Sequence, residues 1–162
     1  MHNAVLSKGS PLLFALLLTL PVTGISFAQE PLRLDQSDSI RGVDANANGV
    51  RDDVELHISR AYQAKQKAAA MQYAAALQSA LISDKTDPLS VRRHGARSLR
   101  GMQCLIDAFG SENKALNRDA EITSEEIIAL TTNTGQRLMA YLSFGRAVNG
   151  SVLALPEGGS CD

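Results

Sequence analysis

Apolar residues recur at helical spacing in three long stretches of the chain, and these stretches define the expected fold. From Asp53 to about Ser83 there is no proline or glycine, and alanine, the best helix former, is abundant. Ile58, Tyr62, Ala69, Tyr73, Leu77 and Leu81 follow one another at spacings of four or seven, which places them on one helix face. The alanines at 68–70 and 74–76 would let a partner helix approach closely. Ser83 to Pro88 reads as a turn, with Asp87 as cap and Pro88 at the first position of a second helix. That helix carries Leu99, Met102, Ile106 and Phe109 as its stripe and stops near Gly110, while Gly95 and Gly101 each weaken it by about 1 kcal/mol relative to alanine.

Residues 111–119 form a polar connection or a short extra helical turn. Thr123-Ser124-Glu125-Glu126 then has the spacing of a capping box and opens a third helix to about Val148. Ile127, Leu130, Leu138, Tyr141, Leu142 and Val148 form its apolar side. Asn149-Gly150 ends it, and Ser151 to Asp162 is an extended tail. The pattern predicts an all-α protein: a small bundle of about three main helices, preceded by an irregular lead-in and followed by that tail.

The first residues add a targeting signal. Lys8 and the free amino terminus precede an apolar run, Pro11 to Leu20, that is short for a membrane span. Pro21 and Gly24 break the run, and Ser26-Phe27-Ala28 is a small-x-small site, so cleavage is expected after Ala28. The alternative is an uncleaved anchor. The remaining residues, 29–162, have the length of one domain. Export implies an oxidising compartment, periplasmic or extracellular, where the chain's two cysteines, Cys104 and Cys161, fit one disulfide. They have no CxxC spacing and no histidine beside them, which disfavours a redox or metal pair. The formal net charge of −1 gives no reason to expect nucleic acid or an anionic membrane surface as partner.

Candidate chemistry concentrates between Asp44 and Glu55. The segment Asp-Ala-Asn-Ala-Asn-Gly-Val-Arg-Asp-Asp-Val-Glu satisfies D-x-[DN]-x-[DN]-G-x5-E. Calcium is a hard cation that takes six to eight oxygens, and this spacing can supply them. Asp44, Asn46 and Asn48 would contribute side-chain oxygens and Gly49 the sharp turn. Val50 would offer its carbonyl, Asp52 would bind directly or through water, and Glu55 would bind through both carboxylate oxygens. Asp52 and Glu55 also have capping-box spacing at the start of the exiting helix. A plainer alternative stays open: an Asx-rich turn ahead of that helix, with Asp52 alone as cap. That alternative accounts for Asn48, Gly49 and Asp52, but not for Asp44, Asn46 and Glu55 all standing at ligand positions.

On these residues the segment resembles EF-hand loops, and more closely the single loops of secreted bacterial proteins, dockerins and thrombospondin type 3 repeats. The resemblance covers the loop and its exiting helix only. It implies Ca²⁺ as ligand, held with the affinity of extracellular modules, about 10⁻⁴ to 10⁻³ M. The chain departs from a paired EF-hand in two ways: Asp35 to Val43 is a poor entering helix, and the eighth loop position is Arg51 where an apolar residue usually pairs with a second loop. A structural clamp is therefore expected, not a sensor. Arg92, Arg93, Arg97 and Arg100 with His94 form a basic stripe that reads as a solvated face. His57 and His94 lack the spacing of a zinc or catalytic pair, so no enzyme is expected. The rival to a calcium protein is a periplasmic helical adaptor or stress protein with a metal-free turn.

Overall fold

The computed structural model describes the backbone of residues 31–110, 114–154 and 159–162, and side chains throughout these except at 114–118. The leader and its cleavage site lie outside the described residues. Five α-helices are present among them: α1 (Asp52–Ala61), α2 (Ala64–Ile82), α3 (Pro88–Phe109), α4 (Lys114–Thr131) and α5 (Gly135–Val148). No strand occurs among the described residues, so the all-α class holds, but the count of three main helices does not. No helix among them is long and apolar enough to cross a membrane.

The expected first helix is two. Tyr62 and Gln63 are extended and Ala64 has a positive φ of 48°, which breaks the helix without proline or glycine. Tertiary contact overrides propensity here. The Tyr62 ring meets Phe109 edge-on at 6.0 Å, and its hydroxyl donates to Glu126 of α4 at 2.7 Å. Those partners draw α1 aside from the line of α2. Beyond the break, α2 is buried at Ala69, Ala70, Tyr73 and every position from Ala74 to Gln78. A helix apolar on nearly all sides belongs at the centre, and α2 contacts each of the other four helices. Its alanines serve that role.

The expected third helix is also two, and it starts earlier. Thr123 and Ser124 lie buried inside α4, where the Ser124 hydroxyl donates to Glu121 O at 2.8 Å, so the capping-box spacing there caps nothing. The break comes at Thr132 to Thr134. The Thr131 and Thr132 hydroxyls donate back to the Ile127 and Ile128 carbonyls at 2.7 Å each, and the Thr134 side chain accepts from Arg137 N to start α5. As a consequence Leu138 and Leu142 of α5 are exposed, contrary to the apolar side expected of them.

Expectations for α3 fare better. Asp87 Oδ1 accepts from Leu89 N at 2.9 Å, Pro88 opens the helix, and Gly110 closes it with φ 90°. Ile58, Leu105 and Ile127 are fully buried, one each from α1, α3 and α4 around α2, and make the centre of the core. Cys104 of α3 is bonded to Cys161, with Cα atoms 4.9 Å apart across 57 residues of sequence. Leu153 of the tail packs against α3 at Gly95, where a Cβ would stand 2.8 Å from its Cδ1.

Candidate metal centre

The loop hangs from the core by buried residues four apart. Val50 and Val54 are buried with Ile58, so the inward positions anchor what the outward positions present. Ala47 (φ 56°) and Gly49 (φ 85°) are both left-handed, and between them Asn48 N points back into the loop. Asn48 N donates to Asp44 Oδ1 at 3.1 Å and to Asn46 Oδ1 at 3.0 Å. Gly49 N donates to Asp44 Oδ2 at 2.9 Å, and Val50 N to Asn48 Oδ1 at 2.8 Å. These Asx turns hold the first three candidate ligands at the loop's rim.

Glu55 arrives from the first turn of α1. Its Oε2 accepts from Asn46 Nδ2 at 3.0 Å and Asn48 Nδ2 at 2.8 Å. Asp52 does not form the capping box expected with Glu55. Its Oδ1 instead accepts from Ala45 N at 3.0 Å, and α1 has no side-chain cap. Thus Asn46, Asn48 and Glu55 touch one another, Asp44 touches the same backbone, and Asp52 closes the loop from behind. Among the described residues no three His, Cys, Asp or Glu side chains gather as a metal cluster. This loop's donor set would be three carboxylates, two amides and the Val50 carbonyl. That set suits a hard cation. For Asn46 and Asn48 to offer oxygen, their amides must turn about the Cβ–Cγ bond, a broad and soft torsion.

Arg51, expected only as a departure from the paired loop, is 1 % exposed and turned away from the loop's oxygens. Its Nε and Nη2 form a two-pronged pair with Asp53 at 2.6 and 2.8 Å. Nη2 also donates to Leu130 O at 3.0 Å and Nη1 to Thr131 O at 3.4 Å, so the guanidinium caps the end of α4. Asn133 Oδ1 accepts from Arg51 Nη2 at 3.1 Å and from Arg137 Nη1 at 2.9 Å. Arg137, 0 % exposed, pairs through Nη2 with Asp35 Oδ2 at 2.8 Å and donates from Nε to Ser39 O at 3.0 Å. Asp35 N completes the circuit by donating to Asp53 Oδ2 at 2.8 Å. No fully buried side-chain nitrogen or oxygen among the described residues lacks a partner.

This network fixes the charges of its acids. Hydrogen bonds from the Ser37 backbone and hydroxyl, then the Arg137 guanidinium, hold the Asp35 pKa down to about 2. Burial pushes the Asp53 carboxyl up, but hydrogen bonds from Arg51 and from Asp35 and Val54 N–H groups outweigh it and the net shift is downward. Gly42 is needed beside the network: its φ is 66°, and a Cβ there would stand 2.2 Å from Arg51 Cδ.

The remaining candidates disperse. His57 bonds Glu126 Oε1 at 2.8 Å and ties α1 to α4, away from the loop's donors. Arg92, Arg93 and Arg97 are exposed. Arg100 leaves the stripe to serve the tail, donating to Ser160 O at 3.1 Å and pairing with Asp162 at 3.1 Å. Sequence reasoning missed Arg137, Asp35 and Asn133; the one available signal was the polar, glycine-ended cluster Thr131 to Gly135, which marks a break. No protein family, no curated protein and no solved structure matches the chain, so any functional reading rests on these residues alone.

Proposed function

We propose that this chain is an exported calcium-binding protein whose single EF-hand-like loop, Asp44 to Glu55, takes one Ca²⁺ as a structural clamp. The observation that carries the reading is the reach of Glu55 to Asn46 and Asn48, which brings the third, fifth and twelfth loop positions within hydrogen-bond distance. Two amide N–H groups there give Glu55 a positive partner, the role a cation would take over. A bound ion would join the lead-in to α1 where Arg51 already joins it to α4 and the turn that follows α4. The test is isothermal titration of the chelator-treated mature protein with Ca²⁺ and with Mg²⁺. Saturable heat with Ca²⁺ at or below millimolar concentration is expected, and weaker binding of Mg²⁺, which demands tighter octahedral geometry. The absence of heat at several millimolar Ca²⁺ would end this reading.

A second reading is favoured by the same contacts. Asp44, Asn46, Asn48, Asp52 and Glu55 each already accept a hydrogen bond within the loop, and no cluster of three His, Cys, Asp or Glu forms among the described residues. On that reading it is a metal-free turn, and the protein works as a helical adaptor through an exposed face such as Leu138, Met139 and Leu142 of α5. The same titration separates the two.

A further inference from the structure

Helices α2, α3 and α5 and the tail line an open-sided cavity of about 290 Å³. Its walls are apolar, formed chiefly by Leu77, Leu99, Met102, Phe144, Val148 and Leu153, and no lining residue is charged. A cavity of about 150 Å³ with walls of this kind takes up benzene, so the present one has room for a larger guest than a single ring. Two features set it apart from a packing defect.

The first is Tyr73. It lines the cavity at 5 % exposure, yet its hydroxyl has no hydrogen-bond partner among the described residues. Since no fully buried polar side-chain atom there is left unpaired, that hydroxyl keeps some exposure, and Tyr73 is the one buried tyrosine among the residues lining the cavity. Burial, then the neighbouring Tyr141, pushes its pKa up to about 12, so at neutral pH it is a proton donor. The wall carries two further hydroxyls, both half-buried: Ser98, which already donates to His94 O at 3.0 Å, and Tyr141.

The second is Gly145. It sits in the interior of α5, lines the cavity, and a Cβ added there would meet nothing within 4 Å. A helical glycine costs about 1 kcal/mol relative to alanine, and no protein atom requires this one. Gly95 in the opposite wall is the contrast, because Leu153 fills the space its missing Cβ leaves. Gly145 is exposed, so its missing Cβ leaves helix backbone bare at the cavity's open side.

We propose that this cavity binds a small, uncharged, mostly apolar molecule bearing one hydrogen-bond acceptor, a ketone or ester in chemical class. Its acceptor accepts a hydrogen bond from the Tyr73 hydroxyl and its apolar body covers the bare backbone at Gly145. A carboxylate is disfavoured, since a charge buried among these side chains would find no cation in the walls. The site stands apart from the calcium reading and does not depend on it.

The test uses the mature disulfide-bonded protein labelled at its methionine methyl groups, titrated with propiophenone and, as the isostere without an acceptor, propylbenzene. Both are expected to shift the Met102 methyl saturably and to leave Met139, exposed on the outer side of α5, unmoved. Propiophenone should bind about three- to tenfold tighter, the worth of one neutral hydrogen bond. Tyr73→Phe should erase that preference while propylbenzene binding persists, and Gly145→Leu should abolish binding of both. The proposal is overturned if Met102 shows no saturable shift, if Met139 moves in its place, or if the preference for the ketone survives Tyr73→Phe. The comparison of ligands on the wild-type protein and Tyr73→Phe decides the matter even where Gly145→Leu folds poorly.

Discussion

The described residues before α1 and those after α5 run without helix or strand, yet each set is held against the helices, the first by buried guanidinium groups and the second by a covalent bond. Residues 35 to 51 are gripped by Arg51 and Arg137 through Asp35, Ser39, Asp53 and Asn133. The tail's last residues are fixed by Cys104–Cys161, with Ser160 between Gln72, Arg100 and Asp107 as a polar supplement. A charge network of this kind needs every member and answers to protons. A disulfide needs one partner and answers to electrons. The two ends should therefore come loose under different conditions, and each can be released without the other.

The largest effect should follow from cutting the covalent strap. Closing a loop of 57 residues stabilises a fold by about 4 kcal/mol in the chain-entropy model. Cys161→Ser should lower the melting temperature accordingly, while far-ultraviolet circular dichroism stays helical at 25 °C. Hydrogen exchange should rise in the described tail residues 149–154 and 159–162 and stay slow in α2. Uniform loss of protection across α1 to α5 would mean that the core around Ile58, Leu105 and Ile127 cannot stand alone.

Breaking the charge network comes next. Removing one partner of a buried ion pair costs roughly 3 to 5 kcal/mol, because the other charge is left uncompensated. Asp35 keeps some exposure, at 23 % of its side chain, so Arg137→Met should fall near the lower figure, about 3 kcal/mol in urea unfolding. The exposed Arg146→Met on the same helix should stay within about 0.5 kcal/mol. Equal effects of the two substitutions would remove the distinction drawn between the ends.

How far the chain's own residues disclose this arrangement differs from helix to helix. α3 was legible at both ends, since Asp87, Pro88 and Gly110 act through the backbone nearest to them. The disulfide was legible from the count of two cysteines and from the export that the leader leads one to expect. The two helix breaks were not. At Tyr62 the cause is a contact with Phe109 and Glu126, which are distant in sequence, and nothing local overrides the alanine-rich pattern. At Thr123 a local signature misled, because its hydroxyl-rich turn is packed within α4 and leaves no free helix end to cap. Arg51 illustrates the same limit at the candidate site. The ligand spacing around it could be read off, but an arginine's burial depends on partners some 80 residues away.

A third and smaller effect belongs to the proposed ion and sharpens what holds the lead-in. If Glu55 supplies two of the oxygens, Glu55→Gln should weaken Ca²⁺ binding far more than Asn46→Ala, which deletes one neutral ligand. Equal losses would show that the ligand roles are misassigned. Calcium at a hundred times its dissociation constant would stabilise the fold by about 2.7 kcal/mol, and at modest affinity by less. Calorimetric melting with and without chelator measures this, and indifference to chelator would remove the clamp from the account of the lead-in.

The smallest effect is acid sensitivity, and it bears most directly on the contrast between the ends. The Asp35 pKa is held at about 2 in the fold, against an ordinary aspartate value of about 3.9. Between those values the unfolded chain binds the proton and the folded chain does not, so stability must fall as pH falls. The contribution is complete above about pH 4 and gone below about pH 2, and Asp53, shifted the same way, adds to it. Asp107 beside the tail is also lowered, by the Ser160 hydroxyl and then Gln103, but the disulfide holds Cys161 in place whether or not that carboxyl is charged. In chelator, to keep the loop's acids out of the comparison, hydrogen exchange at pH 3 should therefore accelerate in residues 35–43 before it does in 159–162. Reductant at neutral pH should reverse that order. Asp35→Asn should flatten the fall in melting temperature between about pH 4 and pH 2. If the tail opens first in acid with its disulfide intact, the covalent bond is not what fastens it, and Ser160 with its three partners takes that role.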